Sequence, residues 1–110
     1  MTQKINKYNV EPIRDACGLI RELYKSSALS ISTVEVIGKA RKHKHEKMEE
    51  IYYVEDGNGS VVIEEEVIDL KQGDLISIPK HKWHYLQGNL EVIVINSPPY
   101  DVSDVIYAEE

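Results

Sequence analysis

Cysteine is scarce in this sequence, and long apolar runs are missing. The single cysteine, Cys17, has no partner for a disulfide within the chain, which is typical of a protein in a reducing compartment. It has no acid–base motif beside it, so we interpret it as a small buried residue rather than a nucleophile. No segment approaches the roughly 18 consecutive apolar residues of a membrane span, and the polar residues 1–15 do not resemble a signal peptide. These absences predict a cytoplasmic protein without a membrane partner.

An excess of basic residues is also missing. Thirteen Lys and Arg residues face nineteen Asp and Glu residues, which gives a formal net charge of −6 at pH 7. Nucleic acid is therefore not expected as a partner, because binding phosphates requires a basic face. The 110 residues contain 42% apolar and 29% charged residues, and they show no repeat or flexible linker. This composition predicts one globular domain with one core.

Short runs of β-branched and apolar residues dominate the chain and predict an all-β protein. The predicted strands are residues 28–37, 50–56, 60–65, 67–70, 75–78, 83–87 and 91–97. Turns are predicted at the glycine-containing segments "DGNG" (56–59) and "KQGD" (71–74). Short strands at this spacing are typical of a β-sandwich or barrel.

The segment "EPIRDACGLIRELYKSS" (11–27) is ambiguous. Several of its apolar residues have helical spacing, but Gly18 interrupts the pattern and "LIRELY" also reads as a strand. We predict a short helix or coil before Gly18 and a strand after it.

Two histidines one residue apart stand out among only four in the chain. In an extended segment, residues i and i+2 face the same way, so His43 and His45 would point into one space. Imidazole is a common ligand of divalent transition metals. Glu50, which opens the next predicted strand, is the first candidate for a third ligand, and Glu49 is the next.

A fourth ligand must come from elsewhere in the chain. The segment "GDLISIPKHKWHYL" (73–86) supplies His81 and His84 after a glycine turn, a strand and a proline. The residues alone do not choose between these two histidines.

These two segments resemble the two sequence motifs of the cupin family. The first motif runs glycine, five residues, His-x-His, three or four residues, Glu, six residues, Gly, and the second runs glycine, five residues, Pro-x-Gly, two residues, His, three residues, Asn. The matching residues are Gly38, His43, His45, Glu50 and Gly57 for the first motif, and Gly73, Pro79 and His84 for the second.

The sequence departs from these motifs in three places. Only four residues separate Gly38 from the first histidine, His81 replaces the glycine of the second motif, and Gly88 stands where asparagine is expected. None of these departures removes a ligand.

The resemblance implies a fold, a ligand set and a domain plan. The fold is a cupin-type jelly-roll β-barrel of two antiparallel sheets. The metal ligands are His43, His45, Glu50 and His84, which would hold one divalent transition-metal ion (Fe, Mn, Ni, Cu, Co or Zn). Residues 1–110 would form a single cupin domain, with an N-terminal arm (1–17), the barrel (18–97) and a C-terminal tail (98–110).

The metal centre that the resemblance implies is compatible with two alternative functions. The first is a metal-dependent enzyme of the dioxygenase, isomerase or lyase type acting on a small molecule, with Tyr52 or His81 as candidate general base. The second is a non-catalytic module that binds or senses a metal or a sugar-like ligand. An intact ligand set favours the enzyme, because a pure binder could lose ligands.

Basic residues beside the histidines would influence which small molecule binds, whether the protein is an enzyme or a binding module. They are Lys39, Arg41, Lys42 and Lys44 near the first motif, and Lys80 and Lys82 near the second. Around one pocket they would favour a small anionic ligand such as a carboxylate or phosphate. Alternatively, they simply point to solvent. The resemblance also implies a homodimer, in which residues 91–97 and the tail cover the edge of the partner's sheet.

Overall fold

A computed structural model of the chain describes residues 2–109; Met1 and Glu110, at the ends of the predicted arm and tail, lie outside the described residues. The strands in this range are β1 (Ile13–Asp15), β2 (Gly18–Lys25), β3 (Ser30–Lys39), β4 (His43–Lys44), β5 (Glu49–Ile63), β6 (Glu66–Lys71), β7 (Leu75–Ile78), β8 (His84–Ser97) and β9 (Ile106–Tyr107). The helical elements here are two 3₁₀ turns, Lys7–Asn9 and Val102–Asp104. Within residues 2–109, no helix is long and apolar enough to cross a membrane.

The strands pair antiparallel and form one sheet that curls around its own inner face. The order β1-β2-β3-β8-β4-β9 forms one path, and β5 joins it by pairing with β6, β7 and β8. β8 is the central strand, because it pairs along its length with both β3 and β5. The predicted all-β, cupin-type barrel is therefore confirmed, with the two sides of the barrel continuous through the long strands β5 and β8.

The predicted turn at residues 56–59 is wrong, because β5 runs through it with only a bulge after Val54. The glycines serve the contact between β5 and β8. A Cβ on Gly57 would lie 2.0 Å from the Asn89 carbonyl oxygen, and one on Gly88 would lie 2.6 Å from the Gly59 Cα. Glycine in a strand interior often marks such a close approach of two backbones. Gly88 also belongs to this close contact and does not form a turn. The two strands predicted at residues 83–87 and 91–97 are therefore the single strand β8.

The segment before Gly18 forms strand β1, not the predicted helix or coil. β1 and β2 make a tight hairpin in which Asp15 lies opposite Gly18, and the strand predicted after Gly18 is confirmed as β2. Gly18 has a φ of +129°, and a Cβ there would lie 2.3 Å from the Glu35 carbonyl oxygen. Only glycine fits this turn, which holds Ala16 and Cys17 in the interior.

The segments predicted to cover a partner's sheet edge have partners within the chain. Residues 91–96 of β8 are paired on both sides, with β3 and β5, so they are not free to pair with another chain. In the tail, β9 pairs with β4.

The core lies inside the barrel, where alternate residues of β3, β5 and β8 point inward. These strands contribute Val34, Val36, Tyr52, Val54, Val61, Leu86, Leu90, Val92 and Val94, and β6 and β7 add Leu70 and Ile78. At one end of this interior, the alternation continues with polar residues instead of aliphatic ones. These buried polar residues form the site described next.

Candidate metal centre

Strand alternation places His43 and His45 on the inner face, as the sequence predicts. His43 is 1% exposed and His45 is 2% exposed, whereas Lys44 between them faces outward and pairs with Glu46 at 3.3 Å. The backbone of His43 lies opposite His84 on one side and Tyr107 on the other. The short strand β4 thus joins the barrel to the tail at this point.

Four buried side chains come together here: His43, His45, Glu50 and His84. Each offers one ligand atom, and these atoms all lie within 4.8 Å of one another. Glu49, the alternative carboxylate, is exposed, since it has the opposite parity on β5. The structure therefore assembles the same four residues that the family resemblance implies, in an arrangement that could hold a metal ion.

The three histidines share one hydrogen-bonding pattern. The Nδ1 of His43 lies 2.8 Å from the Arg41 carbonyl oxygen, and that of His84 lies 2.8 Å from the Lys82 carbonyl oxygen. The Nδ1 of His45 lies 2.9 Å from the carbonyl oxygen of Asp104. A carbonyl oxygen only accepts, so Nδ1 must carry the proton in each ring. The Nε2 lone pair of each neutral imidazole is then free to bind a metal, as is usual for metal-ligating histidines.

The Nε2 atoms of His45 and His84 lie beside the Glu50 carboxylate, and with the proton on Nδ1 neither can donate to it. His45 Nε2 lies 2.6 Å from Glu50 Oε1, yet it has no hydrogen bond of acceptable geometry within residues 2–109. His84 Nε2 lies 3.1 Å from the same oxygen. Lone pairs facing a carboxylate repel it unless a cation or a proton lies between them. The donor set therefore fits a divalent cation, and three nitrogens with one carboxylate suit a transition metal.

The pKa values of the ligands follow from burial and from their proximity to one another. Burial alone would raise the pKa of Glu50, but the neighbouring imidazoles of His45 and His84 outweigh burial and hold that pKa well below its usual range. Burial opposes the charged form of His45, but the Glu50 carboxylate raises its pKa overall. Burial, with the neighbouring His84, lowers the pKa of His43 to about 4. Glu50 is therefore ionised and His43 neutral at pH 7, which is the state that a metal requires.

The lowered pKa of His43 gives a pH dependence of stability for the metal-free protein. The unfolded chain takes up this proton near pH 6.5 and the folded chain only near pH 4, so the free energy of unfolding should fall as pH drops between these values. The shift corresponds to about 3 kcal/mol. Urea denaturation at pH 7 and pH 4.5 measures this loss, which His43→Gln should reduce. The exposed-site variant His81→Gln should keep the full loss, and an equal loss in His43→Gln would contradict the assignment.

Tyr52 and Cys17 lie directly against the cluster. The Tyr52 hydroxyl donates to Glu50 Oε1 at 3.3 Å, and Cys17 Sγ lies 3.7 Å from His43 Nε2 and 3.8 Å from the Tyr52 oxygen. Burial raises the pKa of both groups, so both remain protonated at neutral pH. Cys17 is buried as predicted, but its place beside a histidine comes from the β1–β2 hairpin and has no signal in the sequence.

Asp104 supports the site from the C-terminal tail. Besides accepting from His45 through its carbonyl oxygen, it accepts backbone N–H bonds from Glu46, Lys47 and Met48 through its carboxylate, at 2.9–3.3 Å. Burial would raise the pKa of this carboxyl, but these backbone donors lower it overall. Asp104 thereby fixes both the ring of His45 and the loop that follows it.

The tail also covers the cluster through two tyrosines. The Tyr100 hydroxyl donates to Asp15, and the Tyr107 hydroxyl donates to the same carboxylate at 3.0 Å. The guanidinium of Arg41 lies over the Tyr107 ring, 3.6 Å from its centre. These contacts tie the tail to the β1–β2 hairpin across the end of the barrel.

His81 and most of the predicted basic residues lie outside the cluster. The exposed His81 pairs with Glu46, and its φ of +70° explains why the family motif has glycine at this position. The ammonium of Lys44 lies over the Trp83 ring and that of Lys39 over the Tyr85 ring. These lysines therefore cover aromatic side chains on the outer surface instead of lining the interior.

Comparison with known proteins identifies the family. A model of the Cupin_2 family, the cupin domain, matches residues 30–96, and the chain therefore belongs to the cupin family. The uncharacterized protein MJ1618 of Methanocaldococcus jannaschii is 34% identical to it, over 94% of this chain and 95% of the relative.

Solved structures share the fold. A protein from Planctomyces limnophilus, 27% identical, superposes with a TM-score of 0.89 over 97% of both chains. Pac13 of Streptomyces, described as a nucleoside dehydratase, is 16% identical with a TM-score of 0.89, over 99% of this chain and 92% of that one. At that identity the likeness shows the fold alone.

Proposed function

We propose that this protein is a metal-dependent cupin enzyme that binds one divalent transition-metal ion and acts on a small molecule. The observation that carries the metal site is the common orientation of His43, His45 and His84: each donates from Nδ1 to a backbone carbonyl oxygen, and their ligand atoms and that of Glu50 all lie within 4.8 Å of one another. A histidine buried for packing alone would not require this shared arrangement. The ion is one of Fe, Mn, Ni, Cu, Co or Zn, since these ligands suit all six.

The four ligands occupy only part of the coordination sphere of a five- or six-coordinate ion. A bound ion of this kind supplies either Lewis acidity toward a carbonyl or phosphoryl oxygen, or redox chemistry if the metal is Fe, Mn, Cu or Co. The chain contributes a buried, largely apolar surrounding and three fixed imidazoles. With the exposed basic residues turned outward, the positive charge that would attract a small anionic substrate belongs to the ion itself.

Tyr52 is the protein group best placed to contact a bound substrate beside the ion. Its hydroxyl contacts the Glu50 carboxylate and lies in the interior, whereas His81, the other candidate, is exposed and paired with Glu46. Burial raises the pKa of Tyr52, so its hydroxyl stays protonated and is a poor general base. Tyr52 therefore acts in this proposal as a hydrogen-bond donor that stabilises a developing oxyanion.

Turnover with and without oxygen tests the proposal. Metal-replete protein is incubated with a panel of small carboxylates, sugars and phosphates, once in air and once under nitrogen. Product formed only in air indicates an oxygenase, and product formed in both indicates an isomerase or lyase. Ligand binding without product in either atmosphere contradicts the enzyme proposal and favours the alternative, a non-catalytic binding or sensing module.

For a substrate identified in this way, Tyr52→Phe should lower kcat about 100-fold or more, because a positioned hydrogen-bond donor to an oxyanion typically contributes that much. Metal content should stay the same, since Tyr52 is not among the four ligands. Tyr53→Phe is the matched control, because Tyr53 is the next residue on β5 and faces outward, 41% exposed. Unchanged kcat in Tyr52→Phe would remove Tyr52 from the mechanism.

A further inference from the structure

A small cavity adjoins the proposed metal centre inside the barrel. Its volume is about 10 Å³, and Cys17, Val34, Glu50, Val94 and Asn96 contribute to its lining. That volume has room for about one oxygen-sized atom. The cavity therefore extends the interior from the Glu50 carboxylate toward β3 and β8.

Asn96 is the exceptional residue of this lining. On β8 it lies directly opposite Glu50 in the β5–β8 ladder, so the two side chains are close neighbours on the inner face of the sheet. Asn96 is 1% exposed, and its Nδ2 has no hydrogen-bond partner in the part of the chain that the structure describes. Buried amides are almost always hydrogen-bonded, and an unpaired one calls for an explanation.

Two other polar groups around the cavity are already engaged. The Tyr100 hydroxyl donates to Asp15, and Glu50 Oε1 is within reach of Tyr52, His45 and His84. Cys17 and Ser32 also border the cavity, and the rest of its lining is aliphatic. Asn96 thus presents an unpaired donor to a small, mostly apolar space that Glu50 also borders.

We propose that this cavity is a subsite for one oxygen of a small carboxylate, and that Asn96 Nδ2 donates the hydrogen bond that holds it. The other oxygen of the same carboxylate binds the ion, so the inference rests on the metal centre proposed above. A divalent ion with ionised Glu50 leaves one net positive charge, which a monocarboxylate neutralises. The small volume restricts the group that enters to a single oxygen, and the body of the ligand lies outside the subsite.

Cobalt spectroscopy with simple anions tests the subsite without knowledge of the substrate. The protein is loaded with Co²⁺ and titrated with acetate, and with thiocyanate as an anion whose far end is a poor hydrogen-bond acceptor. Asn96→Leu should weaken acetate binding about tenfold or more, because a hydrogen bond to a charged group is lost, and should leave thiocyanate binding unchanged. Asn89→Leu is the matched control, since it makes the same change at an exposed position of β8.

Two further measurements do not depend on the folding of Asn96→Leu. Val94→Ile fills the cavity while it retains the amide, and it should weaken acetate binding in the same way. In the ¹⁵N-labelled, zinc-loaded wild-type protein, the side-chain amide signals of Asn96 should shift as acetate is added and should stay in place with thiocyanate.

The outcomes separate this inference from the metal centre itself. Protein that takes up no cobalt overturns the proposed centre, and the subsite with it. Cobalt uptake with equal acetate affinity in wild type and Asn96→Leu overturns the subsite alone. Two other results also overturn the subsite alone. In one, acetate saturates the cobalt spectrum but the Asn96 amide signals do not shift. In the other, the cobalt-loaded protein binds thiocyanate but not acetate.

Discussion

Replacing His84 by alanine is expected to weaken metal binding at least about 100-fold. His84 is the proposed ligand on β8, and it lies opposite His43 in the sheet and 3.1 Å from Glu50. Loss of an outer partner of a metal ligand already costs about 10- to 100-fold in affinity, and loss of the ligand itself should cost at least as much. After dialysis against a weak chelator, wild-type protein should retain about one ion per chain, and His84→Ala should retain almost none.

His81→Ala is the matched control for this experiment. It removes the same side chain three positions earlier, where the imidazole is exposed and pairs with Glu46. Its metal content should equal that of the wild type. Equal metal content in wild type and His84→Ala, measured by elemental analysis, would show that the ion is bound elsewhere and would contradict the proposed centre.

The same variants should differ in the stability that the metal confers. A ligand at about 1,000 times its Kd raises the free energy of unfolding by about 4 kcal/mol. For a chain of this length, that corresponds to a rise in Tm of roughly 15 °C or more. Wild type and His81→Ala should show this rise on metal addition, and His84→Ala should show little of it.

The sequence predicts those parts of the candidate site in which local strand geometry alone determines the direction of a side chain. The i, i+2 spacing of His43 and His45 fixes their common direction in any extended segment, and the family spacing then points to Glu50 and His84. The same alternation requires Lys44 to face away from the site, which the structure shows. These predictions needed no knowledge of which strands pair.

The remaining parts of the site depend on pairings between distant segments. Asp104 and Cys17 approach the histidines because β9 pairs with β4 and β1 turns into β2, and Asn96 lies opposite Glu50 because β8 pairs with β5. No local pattern encodes these contacts. The segment at 56–59 was misread for a related reason: glycine is equally compatible with a turn and with a close backbone contact, and only the neighbouring strand β8 distinguishes them.

Asp104 shows most directly how a distant segment supports the site, because it lies in the tail and contacts both His45 and the loop that follows it. Its carbonyl oxygen orients the His45 ring, and its carboxylate accepts from three successive backbone N–H groups, those of Glu46, Lys47 and Met48. Asp104→Ala removes the carboxylate and leaves these buried or half-buried donors unpaired. The free energy of unfolding should fall by about 2 kcal/mol or more.

Metal affinity should fall as well. The variant keeps the backbone carbonyl oxygen that orients the His45 ring, but the loop that follows His45 loses its anchor to the tail, so the ring and that carbonyl oxygen are held together less firmly. The expected loss is about 10- to 100-fold, as for other residues that orient a metal ligand. Asp101→Ala is the control: Asp101 caps the same 3₁₀ turn through Ser103, yet it is exposed and its carboxylate accepts no hydrogen bond from the backbone at 46–48. Isothermal titration of metal-free protein with Zn²⁺ measures both variants. Asp104→Ala with wild-type affinity would show that the four ligands hold their positions without support from the tail.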